Sequence, residues 1–319
     1  MGEDSSSKGP VGTAGPGAGA RPSAAEARVR RRVAQLERLL GDPADAANPL
    51  GSVHFLAADE RQEPLAAAEE LLERFGLGAE FVPRPLGGRL DQLDSLARVV
   101  RAVFRRDAAL ALGYGVTNFL AAVVLWSAGS PAQQRRAARL LRGGGHLVAA
   151  YPELARGSDF LSNGFSARPA GRERPGYLLS GRKEAFNNVD RAQALVLFAR
   201  TGQGRRSHSV LLVERAALPA DTVTALPRHR TLGVRGCLVG GIAFDDCPVP
   251  ADALVGEAGL GLELALKIFP VIRSVGPSMA LGSADTALRT AVACVLDRGA
   301  MPPPADPAQA GAAAPGGPR

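Results

Sequence analysis

Apolar residues recur at helical spacing through the first half of the chain. Val33, Leu36, Leu39 and Leu40 follow the basic run Arg28, Arg30, Arg31, Arg32, and Gly41 stops that helix. Residues 42–63 read as a loop. Pro64 then opens a helix with Leu65, Ala68, Leu71, Leu72 and Phe75 on one face, closed by Gly76. Asp91 starts the next, whose face is Leu93, Leu96, Val100, Val103 and Phe104. Residues 108–129 carry no charge, and Ser130-Pro131-Ala132-Gln133 forms a capping-box start for a helix that runs to Arg142.

At His146 the period changes. Residues 147–150, 177–179, 194–198, 210–213 and 242–244 are short apolar runs separated by turn residues, which predicts an antiparallel β barrel or sandwich. From Gly259 to Leu296 the chain reads as helix again, broken at Pro270 and Pro277 because an interior proline costs about 3 kcal/mol. The predicted class is α+β. A disordered tail (1–23) precedes a helical domain (24–146), a middle β domain (147–255) and the first part of a C-terminal helical domain (256–299). A second disordered tail (300–319) follows, the tails lacking apolar bulk.

Composition narrows the chemistry. With 319 residues and 46% hydrophobic content the chain can bury one large core, built from Ala, Leu and Val because aromatics are only 5%. The net charge of +7 favours anionic partners. No arginine run alternates with exposed aromatics, so nucleic acid is not expected. Cys237, Cys247 and Cys294 lack metal-ligand spacing, so each reads as a small buried apolar residue and no metal is expected. The polar start has no signal-peptide core, which predicts a cytoplasmic protein. Run 108–129 is long enough to span a membrane, but Gly113, Gly115, Thr117, Asn118 and Ser127 within it predict a buried helix and no membrane partner.

Several segments resemble one family. Glu153-Leu154-Ala155-Arg156-Gly157-Ser158-Asp159 is similar to T-E-P-x-A-G-S-D, and Gly181-Arg182-Lys183 with Asn187-Asn188 to G-x-K-x-W-I-T-N. Leu232 to Gly236, Phe244-Asp245-Asp246-Cys247-Pro248-Val249-Pro250 and Gly256-Glu257-Ala258-Gly259-Leu260-Gly261 follow in the same order, as do Gly76-Leu77, Pro83, Gly87-Gly88 and Arg106-Asp107 upstream. This is the pattern of the acyl-CoA dehydrogenases, FAD-dependent flavoprotein oxidoreductases of fatty acid metabolism that desaturate acyl thioesters.

The resemblance implies roles. The flavin would lie against Ala149, Tyr151, Pro152, Gly157 and Ser158 and against Ala185, Phe186 and Asn187. Arg298 would reach its pyrophosphate across a subunit interface. Ser158 and Arg273 would face the acyl thioester, bound to CoA or a carrier protein. Gly157 suits close backbone approach, and Ser158 offers a hydroxyl donor.

The sequence also departs from the family. The signature threonine is Pro152, which has no N–H or hydroxyl, and the flavin-stacking tryptophan is Ala185, so FAD binding is expected to be weak or shared. Asn187 can still donate to the flavin. The family's catalytic carboxylate has no counterpart before the Met301-Pro302-Pro303-Pro304 segment, so no catalytic residue is assigned. Glu153, Asp159, Glu184, Asp285 and Asp297 are not expected to replace it. Two readings follow: a dehydrogenase part completed in a homo- or hetero-oligomer with a dehydrogenase-like subunit, or a non-catalytic binding or scaffold relative or truncated-gene remnant.

Overall fold

The computed structural model describes residues 23–298 except Arg172, Arg174, Arg205 and Arg206; apart from Ser23, the expected tails lie outside the described residues. Ser23 caps α1 (Ala24–Leu40) in a capping box with Glu26. Helices α3 (Ala66–Phe75), α4 (Leu93–Arg106) and α7 (Pro131–Arg142) follow the apolar periodicity. Ser130 and Gln133 form the second capping box, and Gln133 also ties α7 to the carbonyls of Asp252 and Leu254.

Loop 42–63 is not all loop. Helix α2 (Ser52–Glu60) lies within it, and its burial rests on Phe55 and Ala58 alone, too short a stripe to show as a period. Asn48 anchors its start, donating to the carbonyls of Leu40 and Asp42 and accepting from Leu50 N.

The uncharged run forms α5 (Ala108–Leu110), a π turn (Ala111–Val116) and α6 (Thr117–Ala128). Side chains take up carbonyls of the wide turn: Thr117 Oγ1 donates to Leu112 O (2.8 Å) and Asn118 Nδ2 to Tyr114 O (2.7 Å). Two helical stretches, Ala108–Ala128 and Gly261–Asp297, are apolar and long enough to cross a membrane; the first is 72% buried within the protein and the second 22%.

Strands β1 (Leu147–Ala150), β2 (Ser166–Pro169), β3 (Gly176–Phe186), β4 (Ala194–Arg200), β5 (His208–Glu214), β6 (Val223–Leu226), β7 (Gly240–Pro250) and β8 (Leu254–Val255) form one sheet in the order β6-β7-β3-β2-β4-β5-β8, with β1 beside β4. Most pairings are antiparallel, while β1 and β2 meet β4 in parallel, so the sheet is mixed. Along β4, Ala194, Val196 and Phe198 join the helical core, and Leu195, Leu197 and Ala199 fill the sheet's own interior. β1 and β5 alternate in the same way. Burial on both faces is why these strands read as unbroken apolar runs.

Helix α8 (Gly261–Asp297) is continuous, contrary to the predicted break, with Pro270 and Pro277 inside it. Packing on α4 offsets the proline cost. Met279 is fully buried, Gly282 lies against the Arg101 carbonyl, and Asp285 bridges Arg101 and Arg105. Thr286 and Ser283 donate to carbonyls of α4. Ser274 Oγ donates to Pro270 O (2.8 Å) inside the helix. Leu266, Leu281, Leu288, Val292 and Leu296 are left exposed. Cys237 and Cys247 are buried as expected; Cys294, on this open face of α8, is exposed.

Candidate functional site

Where β1 leaves the sheet, the signature loop is stitched to β3 by backbone and side-chain bonds. Glu184 N donates to Pro152 O (3.0 Å), and Lys183 Nζ donates to Tyr151 O (3.0 Å) and to Glu153 Oε1 (2.8 Å). The Glu153 carboxylate also accepts from the backbone of Gly164 (2.7 Å) and Phe165 (3.0 Å), while Asn163 Nδ2 donates to Tyr151 O. Lys183 is fully buried; burial pulls its ammonium down to about 8, against the opposing effect of Glu153. The pair thus fixes segments 149–158 and 185–188 side by side. Lys183 was legible as a motif residue, but nothing in the sequence marked it as the partner of Glu153.

At the end of β3 the ladder with β7 slips. Glu184 pairs Gly241 and Phe186 pairs Gly240, so Ala185 is an extra residue at φ 59°. This bulge turns the chain toward the helical layer. Asn188, at φ 56°, donates from Nδ2 to Gly113 O and receives no such strain penalty as a β-branched residue would. Asn187 Nδ2 donates to Thr117 Oγ1 (2.8 Å), so the amide expected to serve a flavin is engaged by the first residue of α6.

The predicted cofactor residues divide by exposure. Ala149, Tyr151 and Phe186 are buried, the first two in the helical core and Phe186 inside the sheet, and the Tyr151 carbonyl is taken by Asn163 and Lys183. The Tyr151 hydroxyl has no hydrogen-bond partner among the described residues, and burial pushes its ionisation up. Pro152, Gly157 and Ser158 are exposed, and Ala185 and Asn187 half-buried. Gly157 sits at φ 54° with nothing within 4 Å of where a Cβ would be, so its flank is open.

Pro152, Gly157 and Ser158 thus form an exposed shelf, with Ser158 Oγ as a hydroxyl donor. Toward a flavin these residues offer the open flank of Gly157 and one hydroxyl, and few other polar side chains.

Behind the loop, Phe160 stacks on Phe198 (3.9 Å between centroids) and meets Phe269 of α8 edge-on (5.6 Å). These contacts seat the loop against α8. Arg273 lies one turn beyond Phe269, exposed and near this junction. Arg298 ends α8, roughly 38 Å further along at 1.5 Å per residue, so this chain does not bring it to the site. Of the carboxylates considered above, Glu153 is bound as described. Asp285 is an interhelical partner whose two arginines hold it well below the usual carboxylate range, rather than a simple surface residue.

A family profile for the acyl-CoA dehydrogenase middle domain matches residues 149–247, the segment that carries the loop and the bulge. The human mitochondrial short-chain specific acyl-CoA dehydrogenase is 31% identical over 243 residues, covering 74% of this chain and 57% of that protein. The chain thus spans a little over half the length of that relative. Among solved structures, butyryl-CoA dehydrogenase from Megasphaera elsdenii superposes with a TM-score of 0.72 at 20% identity, covering 86% of this chain and 69% of that one. An FAD-complexed acyl-CoA dehydrogenase from Bacillus anthracis superposes with a TM-score of 0.68 at 22% identity, covering 81% of this chain and 43% of that one. Profile, sequence and fold agree: this chain is a member of the acyl-CoA dehydrogenase family.

Proposed function

We propose that the chain is the flavin- and acyl-thioester-holding part of an acyl-CoA dehydrogenase-like oxidoreductase, completed by a dehydrogenase-like subunit in a homo- or hetero-oligomer. The observation that carries this reading is the Glu153–Lys183 pair, which aligns the two flavin segments on one shelf beside α8. FAD bound there would supply hydride acceptance in the α,β-dehydrogenation of a CoA- or carrier-bound acyl group. The chain's own part is to present the open flank of Gly157 and the hydroxyl of Ser158, and to place Arg273 at the mouth. A general base within reach of an α-proton has to come from elsewhere, since Glu153 is enclosed by its donors. The exposed leucines of α8 offer a partner its contact surface.

The test is dye reduction with a panel of acyl-CoAs, with and without added FAD and a dehydrogenase-like subunit. The chain alone is expected to lose FAD on gel filtration and to show no turnover above buffer, with turnover arising on addition of the subunit. Turnover by the chain alone that vanishes in Glu184→Gln would overturn the assignment and locate a base on β3. Pro152 and Ala185 favour a second reading, a non-catalytic binding or scaffold subunit; acyl-CoA binding without turnover in any combination would select it.

A further inference from the structure

Away from the flavin shelf, five arginines converge on one cavity in the helical layer. Arg28, Arg31 and Arg32 come from α1, and Arg84 and Arg89 from the turn before α4; Ala25, Val29 and Val99 contribute apolar lining, and the cavity holds about 560 Å³. Its carboxylates are Glu80 and Asp91. Asp91 bridges Arg84 (2.7 Å) and Arg28 (3.5 Å), while Glu80 bridges Arg32 (2.8 Å) and Arg89 (3.3 Å). Five guanidinium groups against two carboxylates leave three positive charges in excess.

The site is also partly rigid before anything binds. Arg32 lies over the Phe75 ring (3.7 Å to the centroid) and donates to Phe75 O, and Arg89 donates to Gly76 O (2.8 Å). Arg31 has no hydrogen bond or ion pair among the described residues and is exposed. Arg28, Arg84 and Arg89 keep about half of their side-chain surface in solvent, with N–H groups to spare.

We infer that this cavity binds a pyrophosphate-bearing small molecule, such as a nucleoside diphosphate, at a site distinct from the flavin shelf. Guanidinium forks match phosphate oxygens two at a time, and no lysine contributes to the lining. The excess charge suits a diphosphate better than a monophosphate. The volume falls within the ~300–1,000 Å³ range of small-ligand pockets, and Val29 and Val99 give the organic moiety an apolar floor. Charge gathered around one cavity, rather than along an extended strip, favours a compact anion over an acidic peptide.

The experiment is calorimetric titration of the full chain with inorganic pyrophosphate, ADP, AMP and a hexaglutamate peptide at fixed ionic strength. Arg31→Glu and the double variant Arg28→Gln/Arg84→Gln are titrated alongside. All three changed side chains are well exposed, and thermal unfolding of each variant establishes that it folds. One-to-one binding of pyrophosphate and ADP is expected, at least tenfold tighter than AMP, weakened tenfold or more in each variant. Three results would overturn the inference: no saturable binding; undiminished binding in folded variants, which moves the anion elsewhere; or binding of hexaglutamate in preference to pyrophosphate, which makes the cavity a peptide-docking surface. ADP is also a part of FAD and of CoA, so the arginine variants, which lie away from the flavin shelf, separate this cavity from the dehydrogenase reading: that reading can fail while they still weaken pyrophosphate binding, and the reverse.

Discussion

Lys183 Nζ lies 2.8 Å from Glu153 Oε1, and the two side chains are 0% and 9% exposed. The residues are 30 positions apart in sequence, one on β3 and one in the signature loop. Together with the backbone of Gly164 and Phe165, the pair leaves neither charge without a partner, which is the condition for burying it at all.

Lys183→Met should therefore cost about 3–5 kcal/mol, because it strands the Glu153 carboxylate away from water. Adding Glu153→Gln should recover part of that loss, since the second change removes the stranded charge while keeping an acceptor. Urea unfolding of the two single variants and the double variant checks this; costs that simply add would mean that the side chains do not interact energetically.

His146 gives a pH signature. It is buried edge-on to Tyr114 with Nδ1 unpartnered among the described residues, and burial lowers its pKa from 6.5 to about 4. Between those values the unfolded chain binds a proton that the folded chain does not. Stability from this group is present above pH 6.5 and is lost as pH falls toward 4, by roughly 3.5 kcal/mol at about 1.4 kcal/mol per pH unit. His146→Phe should flatten the unfolding free energy over that window; an unchanged pH slope would exclude His146 as its source.

Gly282→Ala should loosen α8 from α4. The added methyl would sit 2.2 Å from Arg101 O and 2.7 Å from the Phe104 Cβ, which no rotamer change relieves because the first is backbone. We expect a loss of about 1–3 kcal/mol, with faster amide exchange along α8 than in β4. Uniform exchange across both elements would contradict it.

Restoring the family residues should restore affinity for the flavin. Pro152→Thr returns an N–H and a hydroxyl to the loop, and Ala185→Trp places a ring at the bulge. Stacking at about 0.5–1.5 kcal/mol and a hydrogen bond at about 1 kcal/mol together predict roughly ten- to seventyfold tighter FAD binding. Flavin fluorescence titration reads this directly, and equal affinity in the double variant would place FAD away from this shelf.

The sequence by itself determined the helical faces, the Ser130–Gln133 capping box and the family, because each is written in local spacing or in contiguous motifs; the Ser23–Glu26 box, at the edge of the expected tail, showed only in the structure. Doubly buried strands such as β4 showed as apolar runs for the same reason. Tertiary structure alone decided the rest. Helix α2 depends on two buried residues and an asparagine anchor. Continuity of α8 through Pro270 and Pro277 depends on α4, whose arginines capture Asp285 from 184 and 180 positions away. The site followed the same division: its segments were legible as motifs, whereas the commitment of Asn187 to Thr117 and the joining of Lys183 to Glu153 were not. A hydrogen bond between residues remote in the chain leaves no periodic trace; it exists only once packing has brought donor and acceptor together and removed the water that would otherwise satisfy them.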